Sequence, residues 1–121
     1  MRGIELILQE RQEQIEKHGW SLDHDASYAD GQLEKAAIFC KIQANIKLHN
    51  ISSHLYSNAK WPDGWIKSFE NKIINKPVIE QLAVCGAFYI AEYDRTHRYV
   101  FLQSTFEVAS KIDYLLNSLR R

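Results

Sequence analysis

Arg11 occupies a position that raises a chemical question. It lies four residues after Ile7 and four before Ile15, so helical spacing places its guanidinium inside an apolar stripe. The stripe consists of Ile4, Ile7, Leu8 and Ile15. Because an arginine is almost never fully buried without a partner, two interpretations stay open: a structural ion pair, or bidentate binding of an anionic ligand in a cleft. The candidate carboxylates are Glu10, Asp25, Glu92 and Asp94, and we expect one of the last three to pair with Arg11.

Other polar and aromatic side chains near the apolar stripes could hold a ligand directly. Positive groups suit an anionic ligand, and an exposed indole can stack on a base. The candidates besides Arg11 are Gln14, His24, Trp61, Trp65, Lys76 and Arg95. Three of these positions have structural alternatives. His24, next to Asp25, fits helix capping or loop tying better than metal ligation, and Trp61 or Trp65 could plug an end of a helical bundle.

Catalytic residues cannot be assigned from the sequence. It has no Gly-rich phosphate loop, no Cys-x-x-Cys and no His-Glu-x-x-His. The predicted second helix supplies one acid, Glu34, and Glu80 and Glu92 of the third lie about 18 Å apart along its axis. Glu10 and Glu13 are expected to face solvent. We therefore predict no tight Mg²⁺ site, no metal ligands and no cofactor.

The bulk composition narrows the class of protein. The chain has 15 Lys+Arg and 15 Asp+Glu, so its net charge is zero, which argues against a general nucleic-acid or membrane-surface binder. It has neither an apolar run of membrane-spanning length nor a signal-peptide pattern, so we expect a cytoplasmic protein. Cys40 and Cys85, in apolar helical contexts, are expected to be reduced core residues.

Helical periodicity dominates the chain and predicts an all-α fold, a compact bundle of four main helices in a single domain over residues 1–121. The helices are expected at about residues 3–18, 31–50, 77–98 and 102–119, with Asp30 or Ser27 as the N-cap of the second. Residues 51–75 are the least regular. Within them, Pro62, Asp63 and Gly64 fit positions i+1 to i+3 of a type I turn.

The pattern of apolar residues in the second helix predicts self-association. This helix has apolar residues on two sides, which is typical of a helix central in the core or of one in a subunit interface. One side has Leu33, Ala36, Ala37, Cys40 and Ala44, and the other has Phe39, Ile42 and Ile46. Together with the apolar last helix, this favours a homo-oligomer, most simply a dimer.

An ordered series of short motifs resembles a group of small, mostly uncharacterised proteins encoded by phages and prophages. The motifs are "ERQEQIEKHGWSLDHD", "GQLEKAA", "WPDGW", "KP" and "LAVCGAFYIAEYDRTHR". They span residues 10–98, and the helix at 102–119 looks like an addition.

More distantly, the opening Glu-Arg-x-x-Gln and the closing helix are similar to MazG-like all-α NTP pyrophosphohydrolases, which hold Mg²⁺ with acids on two helices. This chain lacks the family's Glu-Glu-x-x-Glu and Glu-x-x-Asp patterns. The resemblances therefore imply a protein that binds a nucleotide or nucleotide-derived ligand, as in sequestering a host signalling nucleotide, rather than an enzyme. The alternatives are a divergent Mg²⁺-dependent nucleotide pyrophosphohydrolase and a protein–protein interaction module.

Overall fold

A computed structural model describes residues 2–18, 31–50, 60–65 and 67–119, and within these ranges it contains five α-helices and no strand. The helices are α1 (Gly3–His18), α2 (Gln32–His49), α3 (Lys67–Ile74), α4 (Val78–Thr96) and α5 (Tyr99–Leu119). The all-α prediction is confirmed. Four of the helices are the four predicted ones, and they pack compactly against one another. None of the described helices is both long and apolar enough to span a membrane.

The helix at the centre of the bundle is α4, which contacts α1, α2 and α5. Every residue from 81 to 89 is buried, because the sequence of this helix is apolar or small on nearly all sides. Its neighbours also touch one another: α1 packs on α5, and the short α3 packs on α2. The second apolar side of α2 is covered within the chain, since Phe39 is buried and Ile42 and Ile46 are half-buried.

The buried face of α1 differs from the predicted one. Arg11 is indeed buried, but it shares its face with Gly3, Ile7 and Gln14. Leu8 and Ile15, predicted as part of the same stripe, are 53% and 42% exposed. The buried residues are spaced by four, four and three, whereas Leu8 and Ile15 lie one residue further round the helix. The prediction of an arginine inside the apolar face is therefore right, and the assignment of Leu8 and Ile15 to it is wrong.

The helix boundaries correct the prediction at three places. Pro77 precedes the first residue of α4 as its N-cap, with φ −59° and ψ 156°, instead of occupying the first helical position. The helix ends at Thr96 because His97 adopts a left-handed conformation, φ 58°, as the C-cap. The chain then turns at once, so α5 begins at Tyr99, three residues before the predicted start.

The segment predicted as irregular contains both a turn and a helix. The backbone N–H of Trp65 donates to the carbonyl oxygen of Pro62 at 3.3 Å, so Pro62 occupies position i of the turn and not i+1. Gly64 occupies position i+2 with φ 82°, which a type I turn does not allow but a type II turn requires. Helix α3 follows almost directly. The predicted caps of α2, Ser27 and Asp30, lie outside the described residues.

Candidate functional site

Arg11 enters the interior from α1, and its partners there include Asp94 and Gln14. Its side chain is only 5% exposed as a residue, and Nη2 lies 3.3 Å from Oδ2 of Asp94 on α4. Nη1 donates to Oε1 of Gln14, one turn along α1, at 3.2 Å. The predicted pairing of Arg11 with an acid outside the first helix is confirmed, and the acid is Asp94. The second of its predicted partners, Asp25, lies outside the described residues, as does the ligand candidate His24.

Glu92, the third predicted partner of Arg11, pairs with a different arginine. Its Oε1 accepts a hydrogen bond from Nε of Arg95 at 2.5 Å, three residues along α4. The Glu92 carboxylate is buried, and the Arg95 side chain is mostly covered. Both guanidinium groups of the predicted ligand set are thus compensated by carboxylates near the end of α4. Whether either also contacts a ligand stays a prediction.

The two tryptophans belong to an aromatic cluster at the side of the bundle. The Trp61 ring is buried, with its centroid 5.5 Å from that of Phe39 and 5.2 Å from that of Trp65. Phe88 of α4 completes the cluster, 6.1 Å from Trp61 and 5.8 Å from Trp65. Trp65 is half-buried. Of the two predicted alternatives for Trp61, the packing role is the one that the geometry supports.

A cleft opens between α1, α3 and the middle of α4. Its volume is about 150 Å³, and Phe88, the residue shared with the aromatic cluster, forms part of its floor. The remaining apolar lining is Phe69, Ile73 and Val84. Its polar lining is Glu10, Glu13, Gln14, Lys72 and Lys76. The cleft therefore brings together two predicted ligand residues, Gln14 and Lys76, and one predicted ion-pair residue, Glu10.

A second cavity of about 360 Å³ continues the cleft towards the start of α4. It shares Glu10, Glu13 and Lys76 with the first and adds Glu80. Its apolar and amide lining is Leu6, Gln9, Ile79 and Ala83. The two cavities form a groove that has acids along α1 and lysines along α3 and the α3–α4 connection. Glu10 and Glu13 line this groove, whereas the sequence predicted that they face bulk solvent.

The lysine side of the groove has groups that can move. Lys76 Nζ lies 3.7 Å from Oε2 of Glu80, in a partly exposed pair of the kind that contributes roughly 0–1 kcal/mol. Lys72 is exposed, with its Nζ 5.7 Å from the centroid of the Phe69 ring. Neither contact is strong enough to hold the ammonium group in one place, so both lysines can turn towards an anion in the groove.

Gln81 holds α3 in place and was missed in the sequence. It is fully buried in α4, and its Nε2 donates to the carbonyl oxygen of Ile73 at 2.8 Å. The same amide lies 3.4 Å from the carbonyl oxygen of Ile74. These are terminal carbonyls of α3, which have no partners within the helix. Phe69 and Lys72 had no place in the predicted site because α3 was not predicted. Gln81 was missed because its partners are on α3. The sequence signal for α3 was weak: two apolar residues, Phe69 and Ile73, four positions apart.

Of the predicted ligand residues, Lys76 and Arg95 lie too far apart along α4 to serve one small ligand. Lys76 and Gln14 line the groove, whereas Arg95 lies near the other end of α4, about 25 Å from Val78 along the helix axis. Arg11 is connected to the groove through Gln14, whose Oε1 it holds. No three His, Cys, Asp or Glu side chains in the described ranges come close enough to hold a metal ion. Glu34 is not among the described residues that line either cavity.

The two thiols lie apart from the groove. Cys40 and Cys85 are free and buried, as predicted for core residues. Burial raises the pKa of the Cys85 thiol to about 12. Burial also raises the pKa of Cys40 well above its ordinary value, with a further contribution from Cys85. These thiols are protonated at neutral pH, which makes them poor nucleophiles and poor metal ligands.

Comparisons with known proteins identify no relative of this chain. No protein-family model, curated protein sequence or solved structure matches this chain. The resemblance to phage-encoded proteins and to MazG-like enzymes therefore stays a hypothesis drawn from short motifs.

Proposed function

We propose that this protein binds a nucleotide-type small molecule in the groove between α1, α3 and α4. The observation that supports the proposal is the combination of an aromatic floor with two lysines on one wall. Phe69 and Phe88 offer the apolar contact that a planar base needs, and Lys72 and Lys76 offer charge to a phosphate. The larger cavity alone has the volume of a typical small-ligand site, about 300–1,000 Å³.

The opposite wall argues for a ligand with hydrogen-bond donors as well as a negative group. Glu10 and Glu13 accept hydrogen bonds when ionised, and a nucleobase has amino and ring N–H donors on its edge. A bare polyanion, by contrast, would be repelled by these carboxylates. The groove therefore fits a molecule whose anionic group and donor edge lie at opposite ends, as in a nucleotide.

Calorimetry with a panel of nucleotides tests this proposal. We expect ATP, GTP or a cyclic nucleotide to bind to the wild-type protein in the presence of EDTA. Lys76→Ala should raise the Kd of the tightest-binding nucleotide about tenfold or more, because a charge-assisted hydrogen bond contributes roughly 1.5–3 kcal/mol. Lys35→Ala is the matched control because it removes the same charge from an exposed position on α2. Unchanged binding by the Lys76 variant, or no binding by the wild-type protein, would contradict the proposal.

A Mg²⁺-dependent nucleotide pyrophosphohydrolase is the second candidate. It is favoured by the three carboxylates Glu10, Glu13 and Glu80 around one cavity, since a triphosphate could bring the metal with it. Product analysis separates the two candidates: release of monophosphate and pyrophosphate with Mg²⁺, abolished by Glu13→Gln, would establish hydrolysis. Binding without turnover would instead favour sequestration of a signalling nucleotide, which the phage resemblance implies.

A further inference from the structure

Gln14 is a buried side chain whose orientation is fixed by its partner. It is 4% exposed, and it lines the cleft between α1, α3 and α4. Its Oε1 accepts a hydrogen bond from Nη1 of Arg11 at 3.2 Å. Because a guanidinium has donors and no acceptor, the oxygen of the Gln14 amide, and not its nitrogen, must face Arg11. The direction of the Nε2 group is therefore fixed as well.

The Nε2 group of Gln14 has two N–H donors that the protein leaves available. The bond from Arg11 is the only side-chain hydrogen bond that Gln14 forms within the described ranges of the chain. The unpartnered side-chain atoms that are sealed from the surroundings in those ranges belong to other residues, so Nε2 keeps access to the cleft. A largely buried donor that opens into a cleft gains a hydrogen bond when a ligand brings an acceptor.

Carboxylates of α1 line the same cleft as this donor. Glu10 lies one helical turn before Gln14, so their Cβ atoms are roughly 5–6 Å apart, and Glu13 also lines the cleft. An ionised carboxylate has about four acceptor sites, so each acid can accept from a ligand whatever else it binds. The α1 wall of the cleft therefore presents one amide donor beside carboxylate acceptors.

Guanine is the common base whose edge complements this wall. Its edge has the acceptor O6, then the N1–H donor and then the 2-amino donor. Adenine has an amino donor in place of O6 and an acceptor in place of N1–H, so donors would face donors and an acceptor would face a carboxylate. Uracil and cytosine have the acceptor O2 in place of the 2-amino group, and a carboxylate repels it.

We propose that the groove selects guanine nucleotides, with Nε2 of Gln14 donating to O6 of the base. A carboxylate of Glu10 or Glu13 accepts from N1–H and the 2-amino group. Arg11 is a positioning residue, since it acts through Gln14 by deciding which end of the amide faces the base. The inference rests on the proposed function, and it names the base that the groove binds.

The rest of the cleft suits this orientation of the base. Phe69 and Phe88 form apolar lining for its ring faces, and Lys72 and Lys76 are available to the phosphates across from the α1 wall. A closed cavity of about 150 Å³ can hold a benzene ring. This cleft has the same volume, and it continues into the second cavity, which leaves room for the remainder of a nucleotide.

Calorimetry of the wild-type protein with GTP, ITP and ATP in EDTA tests the selectivity. ITP has the 6-carbonyl and N1–H of guanine without the 2-amino group, and ATP has none of the three. We expect GTP to bind most tightly, ATP to have a Kd about tenfold higher or more, and ITP to lie between them. Equal Kd values for GTP and ATP, or ITP as weak as ATP, would overturn this inference and leave the groove as a nucleotide site. No binding of any nucleotide would overturn the proposed function too.

Gln14→Glu tests the role of Gln14 and keeps its bond to Arg11. The new carboxylate accepts from Arg11 as the amide oxygen does, but it presents an acceptor to the base in place of the Nε2 donors. We expect the preference for GTP over ATP, measured as the ratio of their Kd values, to fall about tenfold or more. Repulsion of the phosphates affects both nucleotides alike, so it leaves the ratio unchanged.

Gln12→Glu is the matched control, because it makes the same change at an exposed position of α1. It should keep the preference of the wild-type protein. Circular dichroism checks that both variants are folded. An unchanged ratio in Gln14→Glu, or an equal fall in the two variants, would overturn the role of Gln14. If Gln14→Glu does not fold, the comparison of ITP with ATP in the wild-type protein still decides whether the 6-position is read.

Discussion

At the scale of single residues, Arg11 places a positive charge in the interior, and Asp94 and Gln14 are among the groups that compensate for it. Asp94 supplies the opposite charge from α4, and Gln14 supplies a neutral oxygen from the same helix. The bond to Arg11 fixes the Gln14 amide, which lines the groove. One buried ion pair thus holds α1 against α4 and orients a side chain of the proposed ligand site.

Asp94→Ala should destabilise the protein by about 2–3 kcal/mol in urea denaturation. Breaking a fully buried pair from one side costs more, roughly 3–5 kcal/mol, but the Asp94 side chain is partly exposed. Glu80→Ala is the control: it removes the ion pair between the exposed Glu80 and the half-buried Lys76 and should cost less than about 1 kcal/mol. Equal losses from the two variants would show that the Arg11 pair has no special role.

The buried thiols predict a pH dependence of stability. Burial raises the pKa of Cys85 to about 12 and also raises that of Cys40, whereas an unfolded thiol ionises near pH 8.5. Between these values the folded protein binds more protons than the unfolded chain, so its stability is full below about pH 8.5 and falls as pH rises. The expected slope is up to ~1.4 kcal/mol per pH unit for each thiol.

Urea denaturation from pH 7 to 10 under reducing conditions measures this slope. Cys40→Ala/Cys85→Ala, which has no thiol, should have a flatter profile over the same range. Rapid reaction of either native thiol with a disulfide reagent in the folded protein, or identical profiles for the two proteins, would count against the assignment.

How much of the site could be predicted depends on the residue. Arg11 and its acidic partner could be predicted because an arginine at helical spacing with Ile7 has to be compensated when it is buried. The exposure of Leu8 could not be predicted, because Ile7 and Leu8 are both apolar neighbours and either one fits the apolar stripe of the helix. Only the packing of α1 against α4 and α5 decides which of the two residues is buried.

At the scale of helices, the close approach of α1 to α4 depends on one glycine. A Cβ atom built at Gly86 would lie 2.5 Å from Cδ1 and 2.6 Å from Cγ1 of the fully buried Ile7. Both distances are shorter than carbon atoms tolerate, so the two helices need a residue without a side chain at this crossing.

Gly86→Ala should therefore destabilise the protein by about 1–3 kcal/mol, as over-packed core positions do, although alanine is the better helix former by roughly 1 kcal/mol. The test is a double-mutant cycle with Ile7→Ala, which removes the clashing atoms. In that background Gly86→Ala should be neutral or stabilising. A stabilising effect of Gly86→Ala in the wild-type background would mean that α1 and α4 can move apart without cost.

The helices themselves were largely predictable, with one exception. Long periodic segments specified α1, α2, α4 and α5, and the errors at their ends come from single residues, such as the left-handed His97 that stops α4. Helix α3 has only eight residues, too few for its period to be seen. Its position depends on tertiary contacts, above all the bonds from Gln81 to its terminal carbonyls. With α3 missing, one wall of the groove was missing too.

At the scale of the whole molecule, α1 crosses α4 and forms one wall of the groove. Its Leu6, Glu10 and Glu13 side lines the groove, whereas Leu8 and Ile15 are exposed on its other side. The groove is therefore built from α1 together with α3 and α4, which are far from α1 in the sequence.

The location of a bound nucleotide tests the central claim most directly. In an amide-proton NMR titration with the tightest nucleotide of the calorimetric panel, in EDTA, the largest shifts should fall on α3 and on the facing turns of α1 and α4, around Gln14, Lys72, Lys76 and Phe88. Amides near Arg95 and Tyr99, at the far end of α4, should barely move. Shifts centred on that far end, or no shift with any nucleotide, would contradict the assignment of the groove as a nucleotide site.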